Sequence, residues 1–412
     1  AKMEIQEGDE EIVGFSYLPI TKITPAQQRC CWITHTSQEV HDILKTGFDK
    51  SPMYQGRIQG TGPRYCPSIE DKINRFAERE RHQLFVEPEG WNTHEIYVNG
   101  FSTSLPEEVQ FDALRRVPGF EQCKFFRPGY AIEYDYFPPT QLKFTLETKL
   151  IENLYFAGQI NGTTGYEEAA CQGLMAGINA HRKTHELEPV VLKRSDAYIG
   201  VLIDDLINKG TDEPYRMFTS RAEYRTILRQ DNADLRLTEL GHRIGLAKED
   251  RMRLVEEKIN QINHTKAVLK SFPVEPKEVD ALLIAKGSSP LNEKTRAEKV
   301  LLRPNIGLKE LINQIPNLAK EVNCTDELVL EQVEIQTKYE VYIEKEKELV
   351  LKMAALEDLI IPDSFNYEKL SALSAEAKQK FIKIKPRTLG QASRISGVNP
   401  SDVQILMVYM GR

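Results

Sequence analysis

The chain has 412 residues, of which 41% are hydrophobic and 28% charged, and its formal net charge at pH 7 is -7. This composition is typical of a soluble globular protein, and the length predicts more than one domain. The sequence contains no run of about 18 apolar residues and no apolar core near its N-terminus, so we expect neither a membrane span nor a secretion signal. The negative charge disfavours non-specific coating of nucleic acid but is compatible with a local basic surface.

Six cysteines are scattered through the chain without a Cys-x-x-Cys pair, at Cys30, Cys31, Cys66, Cys123, Cys171 and Cys324. Such scatter predicts free thiols in a reducing, cytoplasmic setting rather than a disulfide framework. The spacing that zinc ligands require is missing, so we expect no metal site.

Residues 1–128 show the alternation of a mixed α/β region. A strand is predicted at 31–34, followed by a helix that starts at the capping pattern of 36–39 and runs through Leu44. Ser68 and Asp71 predict a second helix start. Further strands are predicted at 83–86 and 95–100, and a helix begins near Pro106.

Residues 129–190 form a second predicted unit, with strands at 130–136 and 154–157 and a long helix from Tyr166. Residues 191–412 are predicted to be helical, because apolar residues recur at helical spacing in 254–269 and 329–343. The latter stretch reads as one extended helix. The Lys-Glu repeat at 344–348 is predicted to be a solvated helix face, and two short helices are expected around 397–400.

The stretch 153–180 carries the clearest chemical signal. A strand delivers a turn rich in glycine and threonine to the start of a helix of small residues. Free backbone N–H groups and the helix dipole favour an anion or an electron-rich ring edge there, and glycine permits close approach of a flat ligand. No G-x-G-x-x-G fingerprint follows a first strand, so we expect the N-terminal half of a dinucleotide site to be missing.

These residues resemble the flavin-contacting segment of the MnmG (GidA) family of tRNA uridine 5-carboxymethylaminomethyl modification enzymes. The resemblance spans essentially the whole chain and includes the strings at 51–54, 62–72, 214–225 and 390–397. It implies an α/β part, made of a remnant of the FAD-binding Rossmann-like domain plus a mixed α/β insertion, followed by an all-α C-terminal domain.

The resemblance assigns FAD contact to six residues, Gln159, Asn161, Gly162, Thr163, Thr164 and Gly165. It assigns NAD(H) binding to the segment 62–76, in particular to Gly62, Pro63, Arg64, Tyr65, Pro67, Ser68 and Asp71. Within that segment Cys66 is the expected catalytic thiol. A helix start and neighbouring cations such as Arg64 favour the thiolate form of such a cysteine.

Arg216, Arg221, Arg225 and Arg229 lie close together in the sequence, and the last three are spaced by four residues. On a helix this spacing predicts one basic face, with aromatic residues interleaved for stacking. A solvated face paired with nearby acids is the alternative. The family resemblance favours tRNA contact, in particular by Arg216 and Arg225, within the region 214–243.

The implied activity is the FAD- and NADH-dependent modification of the wobble uridine of tRNA, with methylenetetrahydrofolate as the one-carbon donor. The implied partners are tRNA, a second copy of the chain, and the GTPase MnmE, docked near 374–410. Two alternatives stay open: a folate- and FAD-dependent tRNA uridine methyltransferase, and a non-catalytic module that binds tRNA and a GTPase.

Overall fold

The computed structural model describes residues 2–10, 12, 14, 16–18, 24–52, 54–58, 68–211, 213–357, 359–362, 364–395 and 397–410. The chain divides into two compact units. The first unit comprises residues 1–187 and 210–216, and the second comprises residues 188–209 and 217–412. The first is mixed α/β and the second is mainly helical, which confirms the predicted fold class. The predicted boundaries at 128 and 190 stay predictions.

The first unit begins with a four-stranded antiparallel sheet whose strands lie in sequence order. The strands are β1 (Glu4–Gln6), β2 (Cys31–His35), β3 (Gln83–Pro88) and β4 (Ile96–Asn99). Leu84 and Val86 of β3 are buried, whereas Gln83 is exposed, as the two-residue period of a half-buried strand requires. The predicted strands in this region are confirmed.

One face of this sheet is covered by helices α1 (Gln38–Lys45), α2 (Ile69–Arg75) and α3 (Glu107–Leu114). Ser37 and Ser68 begin α1 and α2 as N-caps, because their hydroxyls accept hydrogen bonds from the backbone of the first turn. Val40 of α1 and Ala113 of α3 are buried in the same core as Leu84. Local capping and periodicity thus account for this part of the fold.

The rest of the first unit contains helix α4 (Tyr166–Thr184), as predicted. No strand forms at 130–136, and 154–157 contributes a single antiparallel bridge, between Tyr155 and Glu147. Both strand predictions are wrong. A strand needs a neighbour that satisfies its backbone groups, and within the described part of the chain neither segment has a continuous one.

The second unit is built from twelve described helices and a small antiparallel pair, β5 (Pro273–Val274) and β6 (Thr295–Arg296). The helices are α5 (Tyr198–Lys209), α6 (Ala233–Arg243), α7 (Glu249–Ser271), α8 (Pro276–Ala285), α9 (Ala297–Leu301), α10 (Leu308–Gln314), α11 (Pro316–Val322), α12 (Glu327–Lys338), α13 (Glu340–Glu357), α14 (Ala375–Ile384), α15 (Leu389–Arg394) and α16 (Pro400–Tyr409). The last two confirm the predicted pair of short C-terminal helices.

The predicted single helix across 329–343 is wrong, because α12 ends at Lys338 and α13 starts at Glu340. Val333 of α12 is fully buried in the core around α7, whereas Val341 and Tyr342 of α13 are 65% and 62% exposed. Helix α12 packs against α7, and α13 packs against α15. The interruption lets the two helices take different neighbours.

Candidate functional site

The turn that precedes α4, residues 158–165, is here called the glycine turn. Gly158 has a φ of 80° and Gly162 a φ of 71°, both in the left-handed region that favours glycine. A Cβ on Gly158 would lie 3.1 Å from the Cβ of Ala169, so small residues let α4 pack closely on the turn. Gly165 is the N-cap of α4, and because it has no side chain it makes no side-chain capping bond to the first turn of the helix.

Gln172, from the second turn of α4, holds the glycine turn in place. Its Oε1 accepts hydrogen bonds from Gly158 N at 3.0 Å and from Asn161 Nδ2 at 2.8 Å. Its Nε2 donates to Thr163 Oγ1 at 2.7 Å. Gln172 is 0% exposed. Sequence reasoning missed this residue, although an amide on the buried face of a small-residue helix was an available signal.

Three oxygens beside the glycine turn are buried and have no hydrogen-bond partner among the described residues: Asn161 Oδ1, Thr164 Oγ1 and Thr211 Oγ1. Thr211 Oγ1 lies 2.8 Å, and Tyr136 Cδ2 3.4 Å, from where a Cβ on Gly162 would stand. The Tyr136 hydroxyl donates to Thr211 O at 3.1 Å. An unpartnered buried polar atom costs about 1–3 kcal/mol, so these three oxygens are candidate hydrogen-bonding groups for a ligand. Sequence reasoning missed Tyr136 and Thr211.

The start of α4 already faces a carboxylate of the chain itself. A Cβ on Gly165 would lie 1.9 Å from Oε2 of Glu168, a residue that is buried. The helix dipole favours negative charge at this end, and Glu168 supplies it. A phosphate at the same place would be repelled by Glu168, whereas an uncharged ring edge would not. The glycine turn therefore suits a flat neutral ring better than a phosphate.

The residues predicted to contact FAD are brought together in this one turn. Gln159 is exposed at its surface. Asn161 and Thr163 are buried in the Gln172 network, and Thr164 contributes one of the unpartnered oxygens. The two predicted glycines provide the left-handed bend and the helix start. Their contact with a flavin stays a prediction.

Most of the predicted NAD(H) segment lies outside the described residues: Gly62, Pro63, Arg64, Tyr65, the predicted catalytic thiol Cys66, and Pro67. Ser68 and Asp71 are described. The Ser68 hydroxyl accepts a hydrogen bond from Asp71 N at 3.1 Å, so these two residues build the start of α2. The predicted roles of the whole segment stay predictions.

The other cysteines are free thiols. Burial raises the pKa of the thiols of Cys31, Cys123, Cys171 and Cys324. Such thiols remain protonated near neutral pH and are weak nucleophiles. These four thiols therefore show no sign of activation, and the role of Cys66 stays a prediction.

Residues 217–229 are here called the arginine segment. They are not helical, so the predicted helix at the arginines is wrong. They form a short 3-10 turn at Thr219–Arg221 and a second turn in which Ile227 N and Leu228 N both donate to Tyr224 O. Ala222 and Leu228 anchor the segment in one small core. Irregular backbone rather than a helix therefore places both residues in this core.

The four predicted RNA-binding arginines therefore do not share one basic helix face. Arg221 lies 3.7 Å from Asp205, and Arg229 makes an ion pair of 3.0 Å with Asp231. Arg216 and Arg225 are exposed, and they belong to different units. RNA contact by all four stays a prediction. The structure distinguishes two arginines with acidic partners from two that are accessible to solvent.

A buried ion-pair network, which sequence reasoning missed, lies behind the arginine segment. Arg194 is 7% exposed and donates to Glu223 Oε1 at 2.7 Å and to Asp205 Oδ1 at 2.8 Å. Arg394 of α15 donates to both carboxylate oxygens of Asp204, at 2.9 and 2.8 Å. Arg194 also reaches Asp204, at 3.1 Å. The C-terminal helices and the arginine segment thus share one network.

The described residues contain no group of three or more side chains that could hold a metal ion. None of their helices combines the length and the apolar character that crossing a membrane needs.

Family models match most of the chain. Residues 1–188 match the model of glucose inhibited division protein A. Residues 249–347 match the C-terminal helical domain of the tRNA modifying enzyme MnmG/GidA, and residues 350–412 match its C-terminal helical bundle.

Relatives match along the whole chain. A protein of Christiangramia forsetii named tRNA uridine 5-carboxymethylaminomethyl modification enzyme MnmG is 61% identical over 414 residues, which covers 100% of this chain and 66% of that protein. The protein of the same name from Flavobacterium johnsoniae is 62% identical, with the same coverage. The chain belongs to the MnmG/GidA family.

A solved structure of a family member supports the same assignment. The Aquifex aeolicus GidA structure in crystal form II is 44% identical, has a TM-score of 0.81, and is matched over 100% of this chain and 64% of that one. Compared with the two MnmG relatives named above, the chain spans 66% of their length. The family predicted from the sequence motifs is confirmed.

Proposed function

We propose that this chain is part of an FAD- and NADH-dependent enzyme that installs the (carboxymethyl)aminomethyl group at C5 of the wobble uridine of tRNA. The name of its MnmG relatives supports tRNA uridine modification. The flavin part of the proposal depends on one observation, the cluster of unpartnered buried oxygens beside the glycine turn.

In this proposal the glycine turn faces the edge of an isoalloxazine ring, which presents an N–H group between carbonyl oxygens. Asn161 Oδ1 can accept from the N–H, and the hydroxyls of Thr164 and Thr211 can donate to the carbonyls. Tyr136, packed beside Gly162, would cover the ring and exclude water. When bound, the flavin supplies the redox chemistry, while these residues bind and orient it.

The remaining parts of the proposal follow from the family. The segment 62–76 would bind NADH, and methylenetetrahydrofolate would donate the one-carbon unit. Cys66 would act either as the thiol that adds to C6 of uracil, which makes C5 nucleophilic, or as a proton donor. The GTPase MnmE would dock near 374–410, and the enzyme would work as a cytoplasmic homodimer.

The folate-dependent tRNA methyltransferase is the less favoured alternative. The C-terminal matches to MnmG/GidA, at 249–347 and 350–412, favour the wobble-uridine enzyme. Mass analysis of tRNA treated with the complete enzyme separates the two. A plain methyl group on a T-loop uridine would support the methyltransferase and contradict the proposal.

Flavin titration of the purified chain tests the ring site directly. Lumiflavin carries the ring system without the pyrophosphate, so it probes the glycine turn independently of the other half of a dinucleotide site. We expect lumiflavin to bind, and Thr211→Val to weaken binding about tenfold through loss of a buried hydrogen bond. Thr325→Val, at an exposed position of the second unit, should leave binding unchanged. If neither lumiflavin nor FAD binds, a non-catalytic binding module is the better description of this chain.

A further inference from the structure

Side chains from several other parts of the second unit hold the arginine segment, and three of these contacts come from Arg194, Gln332 and Glu346. Arg194 Nη2 donates to Arg221 O at 2.9 Å. Arg229 donates to Gln332 Oε1 of α12 at 3.2 Å. The third contact, with Glu346 of α13, is the most extensive. A segment held in this way has a defined conformation although it contains little regular secondary structure.

The carboxylate of Glu346 binds the middle of the arginine segment. It accepts from Thr226 N at 3.1 Å, from Thr226 Oγ1 at 2.9 Å and from Ile227 N at 3.1 Å. Two successive backbone N–H groups and a hydroxyl thus enclose one anion. Hydrogen bonds of this charge-assisted kind are stronger than those between neutral groups.

This contact overturns part of the prediction for the Lys-Glu repeat at 344–348. Glu344 and Glu348 are exposed, as a solvated helix face requires. Glu346 is instead half-buried and bound to a segment 120 residues away in the sequence. The repeat alone could not distinguish them, because the position of the arginine segment depends on tertiary packing.

Arg225 directly precedes the residues that Glu346 binds. It is exposed, and it has no ion-pair partner among the residues that the structure describes. Because the backbone of Thr226 and Ile227 is held in place, the position of the Arg225 Cα is restricted as well. A cation on an ordered backbone loses less conformational entropy when it binds an anion.

We propose that Glu346 is a positioning residue for RNA contact, whose carboxylate holds the backbone of Thr226 and Ile227 so that Arg225 meets a phosphate. The inference rests on the proposed tRNA modification and on the prediction, from the family resemblance, that Arg225 contacts tRNA. The proposal predicts a change in RNA affinity opposite to the usual one. Removing a carboxylate beside an RNA-binding cation normally strengthens RNA binding, because repulsion is removed. Removing the Glu346 carboxylate should instead weaken RNA binding.

The test measures the dissociation constant for an unmodified tRNA transcript at several KCl concentrations. The variants of the full chain are Arg225→Ala, Glu346→Gln, the double variant, and the matched control Glu348→Gln on the same helix. We expect Arg225→Ala to weaken binding about five- to tenfold and to reduce the salt slope by about one. Glu346→Gln should give a smaller loss of affinity in the same direction, with no further loss in the Arg225→Ala background.

Glu348→Gln should leave affinity unchanged or slightly improved. Tighter binding of Glu346→Gln, or a full additional loss in the double variant, would overturn the positioning role while leaving RNA contact by Arg225 intact. An unchanged affinity of Arg225→Ala would overturn both. If Glu346→Gln does not fold, Thr226→Val removes only the hydroxyl contact and should produce a weaker effect of the same sign.

Discussion

The glycine turn and the arginine segment satisfy their polar groups to different degrees. Around the glycine turn, Gln172 satisfies part of the buried backbone but three oxygens remain without partners. The arginine segment makes hydrogen bonds with Arg194, Glu346 and Gln332. Arg225 remains exposed. The first region is suited to a ligand that enters and completes it. The second is suited to a partner that meets a preformed surface.

The largest expected effect concerns the ion-pair network behind the arginine segment. Arg194→Met removes the buried cation shared by Asp205 and Glu223 together with its hydrogen bonds, so we expect a loss of about 3–5 kcal/mol in the free energy of unfolding, although Asp205 keeps Lys209 at 2.7 Å. Chemical denaturation measures it. Arg225→Met, a change of the same chemistry at an exposed position, should alter stability by less than about 0.5 kcal/mol. Equal effects would contradict the view that the segment is held from behind.

A smaller loss is expected at the glycine turn. Gln172→Ala removes the partner of Gly158 N, Asn161 Nδ2 and Thr163 Oγ1, and we expect a cost of about 2–4 kcal/mol. Gln159→Ala, at the exposed position of the same turn, is the matched control and should be nearly neutral. A neutral Gln172→Ala would show that the turn does not depend on this network.

The smallest effect is a difference in acid sensitivity between the two units. The buried histidines of the described chain, His41 and His82, are both in the first unit, with ring centroids 5.2 Å apart. Burial lowers the pKa of both rings, with further lowering by Lys45 at His41 and by the neighbouring His41 at His82. Lys72 and Arg79 act in the same direction on His82, whereas Asp42 and Glu78 oppose the shifts.

A lowered pKa means that the folded state resists protonation. The stability of the first unit should therefore be complete above pH 6.5, the ordinary pKa of histidine, and decline as the pH falls below it. Hydrogen exchange at pH 7.5 and 5.5 measures this by region, and the second unit should change less. His242→Gln, at an exposed site, should leave the difference intact, whereas His41→Gln should reduce it. Equal acid responses of the two units would contradict this assignment.

Prediction from sequence succeeded where short-range interactions decide structure. Ser68 begins its helix as expected, and a helix starts at the predicted pattern of 36–39 with Ser37 as its cap, because a cap needs only the residues of its own first turn. It failed at 130–136, where a strand depends on a partner strand. At the candidate site, the sequence located the glycine turn but not Gln172, Tyr136 or Thr211. Those residues lie up to 75 positions apart along the chain and meet only after folding.

The sequence by itself determined the family, the order of an α/β part before a helical part, and the glycines that permit left-handed bends. These properties follow from local motifs and from backbone sterics. The tertiary structure decided which polar groups have partners: that Arg221 and Arg229 lie beside acids, that Arg225 is exposed, and that Glu346 binds a distant turn. The physical reason is that burial and hydrogen bonding between distant residues depend on packing, which spacing along the chain does not specify.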